Sequence, residues 1–258
     1  MLNTHLELLQ HPDHNVRGRA ALALRTLGDV GAVDALIRAL CTEPNPFVRE
    51  NITAALVRVG DAALSPLVHL LSDASPAVRH SAAHALSKIG DARAVEALID
   101  TLQDHDVTVM AKAAFALGRI GDARAIPALV RLLGHESRDL QSTLASVLEG
   151  FGLPAVPPLL DALADQRWQA REQAAYILGF IGSRDAVPAL TRTLSDRHWQ
   201  VRFASVHALG DLGGEISRRA VQSMHDDSDQ RVRSLAPQML KRIEMSQNYH
   251  AGRPSPRD

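Results

Sequence analysis

Residues 78–91 read Val78-Arg79-His80-Ser81-Ala82-Ala83-His84-Ala85-Leu86-Ser87-Lys88-Ile89-Gly90-Asp91. Ala82, Ala83, Leu86 and Ile89 fall on one face at helical spacing, so the stretch predicts an amphipathic helix over 77–89. Gly90 can take the left-handed backbone that closes a helix, and Asp91 suits the N-cap of the next one. That next helix is predicted over 92–103, with Val95, Leu98, Ile99 and Leu102 turned inward.

The same phrase recurs along the chain. Its arginine position is filled by Arg17, Arg49, Arg79, Met110, Gln141, Arg171, Arg202 and Arg233, at spacings of 32, 30, 31, 31, 30, 31 and 31 residues. Gly28, Gly60, Gly90, Gly121, Gly152, Gly182 and Gly213 each follow the first seven by eleven residues. Two markers kept in step identify an internal repeat. Each period holds two helices: A, then B, which starts at the Val-Arg pair and ends at the glycine. Neither helix can hide its apolar face alone, so pairing and stacking must supply one continuous core. The predicted fold is all-α, a right-handed superhelical stack of about eight two-helix repeats. Helix spacing of about 8–10 Å gives a rod on the order of 80 Å, with B helices inside and A helices outside. Pro66, Pro127, Pro157 and Pro188 sit early in A helices and predict a late start or a bend. Asp29, Asp61 and Asp122 repeat the cap of Asp91, with Ser183 as a substitute and Leu153 and Gly214 as weaker ones. The domain is expected to span 1–244, with a flexible polar tail over 245–258.

Composition agrees with this reading. Apolar residues make up 46% and aromatics 3%, so the core must be built mostly from Ala, Leu, Val and Ile. Lys plus Arg is 28 and Asp plus Glu is 29, which argues against a dedicated nucleic-acid sleeve. The one cysteine, Cys41, cannot form an internal disulfide and fits a reducing compartment. The first residues lack a basic start and an apolar run, and no stretch reaches the length of a membrane span. A cytoplasmic location without membrane contact is the expectation.

These phrases resemble the short HEAT-like repeat named after the phycobilisome lyases, over about residues 4–243. The resemblance implies a HEAT-like solenoid. It maps Arg79 and Gly90 onto scaffold positions and carries over no catalytic residue. Relatives of that kind include bilin lyase subunits, fused modules and scaffolds, and an iron-dependent deoxyhypusine hydroxylase. The hydroxylase places His-Glu pairs just after the helix B arginine. The matching positions here are Gly18-Arg19, Glu50-Asn51, His80-Ser81, Ala111-Lys112, Ser142-Thr143, Glu172-Gln173, Phe203-Ala204 and Ser234-Leu235. None is His-Glu, and His135-Glu136 lies in a loop, so a di-iron site is not expected.

The recurring arginines, Arg17, Arg49, Arg79, Arg171, Arg202 and Arg233, need a partner, because a cation in the first turn opposes the helix dipole. Asp73, Asp165, Asp196 and Asp227 lie six residues before Arg79, Arg171, Arg202 and Arg233 and predict an ion-pair ladder along the A–B loops. A ligand-binding arginine row is the alternative.

Positions one and five after the arginine share a face, and they vary from repeat to repeat as a fitted surface requires. They include His80, His84, Phe115, Ser142, Ser146, Glu172, Tyr176, Phe203 and His207, the candidate partner-binding residues. Phe115 and Tyr176 would wall a notch around Ser142 and Ser146. His80 and His84 have ligand spacing but are too few for a metal site. Trp168 and Trp199, one period apart, are expected to stack on repeat edges. Phe151 and Phe180, beside glycines, are expected in the core. No cofactor motif, catalytic constellation or metal set appears. The functional expectation is a non-catalytic scaffold holding a protein partner in the B-helix groove. A bilin lyase-like or chaperone-like subunit is the alternative. Imperfect capping by Leu6 and Leu9 leaves a monomer or an end-to-end dimer open.

The fifth repeat departs most from the pattern. Gln141 replaces its arginine, as Met110 does in the adjacent fourth repeat, and Leu153 replaces the cap Asp. Amides of residues 138–153 are therefore expected to exchange faster than those of 76–91 in hydrogen-exchange mass spectrometry. Equal protection from the third repeat to the seventh would contradict this.

Overall fold

A computed structural model describes the backbone of residues 1–251 and the side chains through Met245. The chain forms two compact units, Met1–Ala125 and Ile126–Asp258. In the first, A and B helices alternate as α1 (Leu2–Leu8), α2 (His14–Leu27), α3 (Val33–Thr42), α4 (Pro46–Val59), α5 (Asp61–Leu70), α6 (Pro76–Ile89), α7 (Val95–Thr101) and α8 (Val107–Ile120). In the second they run α9 (Ile126–Arg131), α10 (Arg138–Phe151), α11 (Val156–Ala162), α12 (Trp168–Ile181), α13 (Val187–Thr193), α14 (Trp199–Leu212), α15 (Gly214–Gln222) and α16 (Gln230–Ala251). Eight pairs result, as the repeat predicts, with no strand among the described residues. The family of phrases thus yields an all-α HEAT-like solenoid. Helix α16 continues over 245–251, where the tail was expected to begin; residues 252–258 lie outside the described residues.

Within each unit most of the even-numbered B helices pack along one another more closely than the A helices do; α10 and α12 are the exception, touching scarcely more extensively than α9 and α11. The B side is therefore the more closely packed side. Small residues allow the approach. A Cβ on Gly179 of α12 would come within 2.9 Å of Ala208 Cα and Cβ on α14. A Cβ on Gly210 would come within 2.5 Å of Met239 Sδ on α16. Leucines fill the layer between A and B helices. Leu24, Leu36, Leu56, Leu86, Leu98, Leu117 and Leu129 are fully buried, each contributing about 1.5–3 kcal/mol relative to exposure. Ile89 and Ile99, expected inward, are half-buried. Leu9 is buried and Leu6 half-buried, so Leu9 does not leave the first helix open.

The repeat glycines leave their helices in two ways. Gly90 has φ 74° and ψ 23°, the left-handed cap, and Asp91 then accepts the Arg93 N–H at 2.8 Å to open a 3-10 turn. Asp29 and Asp122 cap in the same manner. Ser183, expected to substitute, makes no side-chain cap bond. Gly213 has φ 65° and ψ −166°, a region open essentially to glycine alone, and α15 begins at the next residue without a capping side chain. Asp61 likewise becomes the first residue of α5 and turns its carboxylate to Arg93. Pro127, Pro157 and Pro188 lie in the first turn of helices that start late, after a 3-10 segment, whereas Pro66 sits inside α5.

The arginine ladder exists, but its carboxylates are not the expected ones. Arg79 sends Nη1 to the backbone carbonyl of Asp73, six residues earlier, at 2.9 Å. Its Nε and Nη2 grip the Asp104 carboxylate of the next repeat at 2.6 and 2.7 Å. Arg17–Glu43, Arg171–Asp196 and Arg202–Asp227 repeat this bidentate pairing. Glu43, Asp196 and Asp227 thus each lend a carbonyl to the arginine of the B helix that follows and a carboxylate to the previous arginine. Arg171, for example, takes the Asp165 carbonyl, and Asp196 serves both Arg171 and Arg202. Arg49 reaches the Glu43 carbonyl, but its Nε is buried without a partner. The short second period places Asp73 only 24 residues on, where the formed pairs span 25 or 26.

The guanidinium hydrogen bonds are the main reason Glu43 and Asp104 are held below the ordinary carboxylate range. At Asp196 and Asp227 burial is the largest single influence and pushes upward, yet the bonds from Arg171 and Arg202, the backbone N–H groups of His198 and Asp229 and the attraction of the two cations together outweigh it. Such carboxylates add stability above their unfolded pKa, and that stability is lost as pH falls through the depressed folded value. Side-chain exposure is 11% for Arg202 and 5% for Asp227, so removing the cation strands a buried charge. Arg202→Ala is expected to cost about 3–5 kcal/mol in urea unfolding at neutral pH. The loss should shrink once acid has protonated Asp227, and the exposed Arg233→Ala should cost much less. Equal losses for both variants, or one independent of pH, would contradict the relay.

Candidate functional site

The candidate residues lie on the B side. In the first unit, His84 Nε2 sits 3.1 Å from Glu50 Oε2, and Lys88 pairs with the other oxygen of the same carboxylate. Burial, then Lys112, pushes His80 down from the ordinary histidine value; burial, then Lys88, does the same for His84, against the pull of Glu50. The two rings do not converge on a third ligand. Among the described residues no three His, Cys, Asp or Glu side chains form a set that could hold a metal ion. Phe115 on α8 is 43% exposed, with Lys112 Nζ 5.3 Å from its ring centre. Burial pushes the Cys41 thiol up, with Asp73 adding to the effect, the opposite of an activated nucleophile.

In the second unit, Ser142 and Ser146 are exposed on α10. Glu172 and Tyr176 are half-buried on α12, and Phe203 and His207 are half-buried on α14. The Tyr176 ring stands edge-on to His207 at 5.7 Å. His207 Nδ1 in turn lies 3.2 Å from Asp211 Oδ2, one turn along. Arg242 Nη1 is 2.7 Å from Asp211 Oδ1 but off its hydrogen-bonding axis, so that contact is ionic only. Phe115 belongs to the first unit, and Ser142, Ser146 and Tyr176 to the second.

Two aromatic expectations need correction or refinement. Phe180, expected in the core, is 57% exposed, and Phe151 is half-buried. Phe180 lies four residues beyond Tyr176, so Glu172, Tyr176 and Phe180 make one stripe along α12. Extending the variable column by one more turn would have found it. Trp168 and Trp199 do not touch each other; each leans on the following repeat. Trp168 stacks on His198 at 5.6 Å, and the Arg231 guanidinium lies 3.3 Å from the Trp199 ring centre. Trp199 also meets Phe203 edge-on at 6.2 Å.

The family model for HEAT repeats matches residues 2–75, 48–114, 64–149, 96–165 and 156–241. The chain belongs to the HEAT-repeat family. No curated protein matches this HEAT-repeat chain. Among solved structures, it is similar to the complex of CpcE and CpcF of phycocyanin lyase from Nostoc sp. PCC7120. Identity there is 25%, coverage 94% of both chains and TM-score 0.47. It is also similar to human deoxyhypusine hydroxylase in complex with glycerol, at 22% identity over 95% of this chain and 96% of that one, with TM-score 0.42. Kap95p bound to RanGDP gives TM-score 0.66 at 15% identity; the match takes in 95% of this chain and 40% of Kap95p, and shows the fold alone. No single helix of the HEAT-repeat chain, among the described residues, is long and apolar enough to cross a membrane.

Glu172 is the electrostatic oddity of this face. Burial alone pushes its pKa up, and no counter-charge offsets it. It also helps burial hold the Tyr176 phenol above its ordinary value. A carboxylate whose folded pKa is raised lowers stability as pH climbs from its unfolded value through the folded one. Glu172→Gln is therefore expected to stabilise the protein at neutral pH by about 0.5–2 kcal/mol, with the gain vanishing in acid. Thermal unfolding of both forms checks this; a destabilised variant at neutral pH would show that Glu172 holds the fold.

Proposed function

We propose that this HEAT-repeat chain is a non-catalytic scaffold that holds a protein partner on its B-helix face. One observation carries the reading. Along α12 and α14 the positions outside the Ala/Leu core hold Glu172, Tyr176, Phe180, Phe203 and His207, partly open to solvent and in contact across the two helices through Tyr176 and His207. Aromatic rings that stay half-exposed, on helices whose backbones already pack closely, are poorly placed to stabilise the fold and well placed to anchor a partner side chain. The uncompensated Glu172 beside them favours a partner that brings a donor or a cation. His80, His84 and Phe115 extend the same kind of surface in the first unit, and Ser142 and Ser146 supply small polar positions in the second.

The test is affinity capture of a partner by the whole chain, with variants compared side by side. Tyr176→Ala is expected to weaken capture by more than about tenfold, the usual size of a hot-spot loss, with unchanged helical circular dichroism. Val30→Ala, at an exposed residue before α3, should leave it unchanged. Capture that survives Tyr176→Ala, Phe180→Ala and Phe203→Ala together would overturn the assignment of this face.

A further inference from the structure

The first unit carries a second feature that the B-face reading does not use. Three consecutive B helices end in exposed cations: Arg25 in the last turn of α2, Arg58 in that of α4 and Lys88 in that of α6. Together with Thr26, Ala54 and Val57 they line one shallow, open recess. The Arg58 side chain is laid across the end of α2. A Cβ built on Gly28 would meet Arg58 Cγ at 3.6 Å and Nε at 3.8 Å. Among the described residues Lys88 shares Glu50 with His84, while Arg25 and Arg58 have no carboxylate partner. A last-turn cation is expected from the helix dipole, but the dipole does not require three of them to line one cavity.

We propose that this recess binds an acidic peptide segment of a protein partner. One carboxylate would sit between the Arg25 and Arg58 guanidinium groups, which present fork-shaped donors to it. A second would compete with Glu50 for Lys88. Ala54 and Val57 accommodate the aliphatic stems. The charge pattern selects discrete carboxylates over a nucleic-acid backbone. Asp29, Asp61 and Asp91 follow these cations in sequence without lining the recess, so a long polyanion running past it would meet carboxylates that a short peptide in the recess would not. The inference rests on the scaffold reading but uses other residues.

Fluorescence anisotropy of the whole chain with a labelled peptide of alternating Glu and Ala tests it. A peptide with Gln for Glu and a single-stranded oligothymidylate serve as comparisons. The Glu peptide should bind and the Gln peptide should not. The double variant Arg25→Ala/Arg58→Ala should weaken binding by about tenfold or more, and added salt should weaken it as well. Glu50→Gln, which releases Lys88, should strengthen binding by about threefold. This gain keeps the test decisive if the double variant folds poorly. Tyr176→Ala should leave peptide affinity unchanged, so failure here and failure of the B-face anchor are read separately. Absent Glu-peptide binding, equal binding of the Gln peptide, indifference to the double variant or to Glu50→Gln, sensitivity to Tyr176→Ala, or tighter oligothymidylate binding would each overturn the proposal.

Discussion

A guanidinium shared between neighbouring repeats fixes the stacking at the junctions of Arg17, Arg79, Arg171 and Arg202. Helical hairpins with Ala and Leu faces would pack in several registers, because such faces are smooth and alike. Arg79 removes that freedom by gripping the Asp104 carboxylate ahead with two donors and the Asp73 carbonyl behind with a third. Arg171 and Arg202 form consecutive links through Asp196. Each link is largely sheltered, so its geometry is enforced by the cost of leaving a charge unpaired and not by the modest net gain of pairing it.

The relay also explains where regularity stops. Arg49 keeps its loop carbonyl but misses its carboxylate, because the second period is short. Gln141 keeps the carbonyl of His135, and Met110 is buried apolar surface. The two compact units meet in sequence between Ala125 and Ile126, among these lapses. Within each unit the leucine layer is continuous.

Backbone order is set by buried leucines, glycines and the relay, while the positions one, five and nine residues after the arginine vary from repeat to repeat. Their chemistry differs between units: Glu50, His84 and Lys88 form a charged cluster in the first, while Glu172, Tyr176 and Phe180 form an aromatic and acidic stripe in the second. A half-buried carboxylate without a cation costs stability at neutral pH, and Glu172 is one.

Much was legible in sequence because a helical repeat is a local pattern. Spacing, apolar period and the glycine stops determined the number of helices, their pairing and which face each buries, since these follow from 3.6-residue periodicity and backbone sterics within a few residues. Only the tertiary structure decided which carboxylate meets which guanidinium, that Phe180 stays open to water, that Trp168 leans on His198, and that Arg25, Arg58 and Lys88 line one recess. Those contacts join residues about one period or more apart. Their partners depend on the rotation between neighbouring helices, and no local spacing encodes that angle.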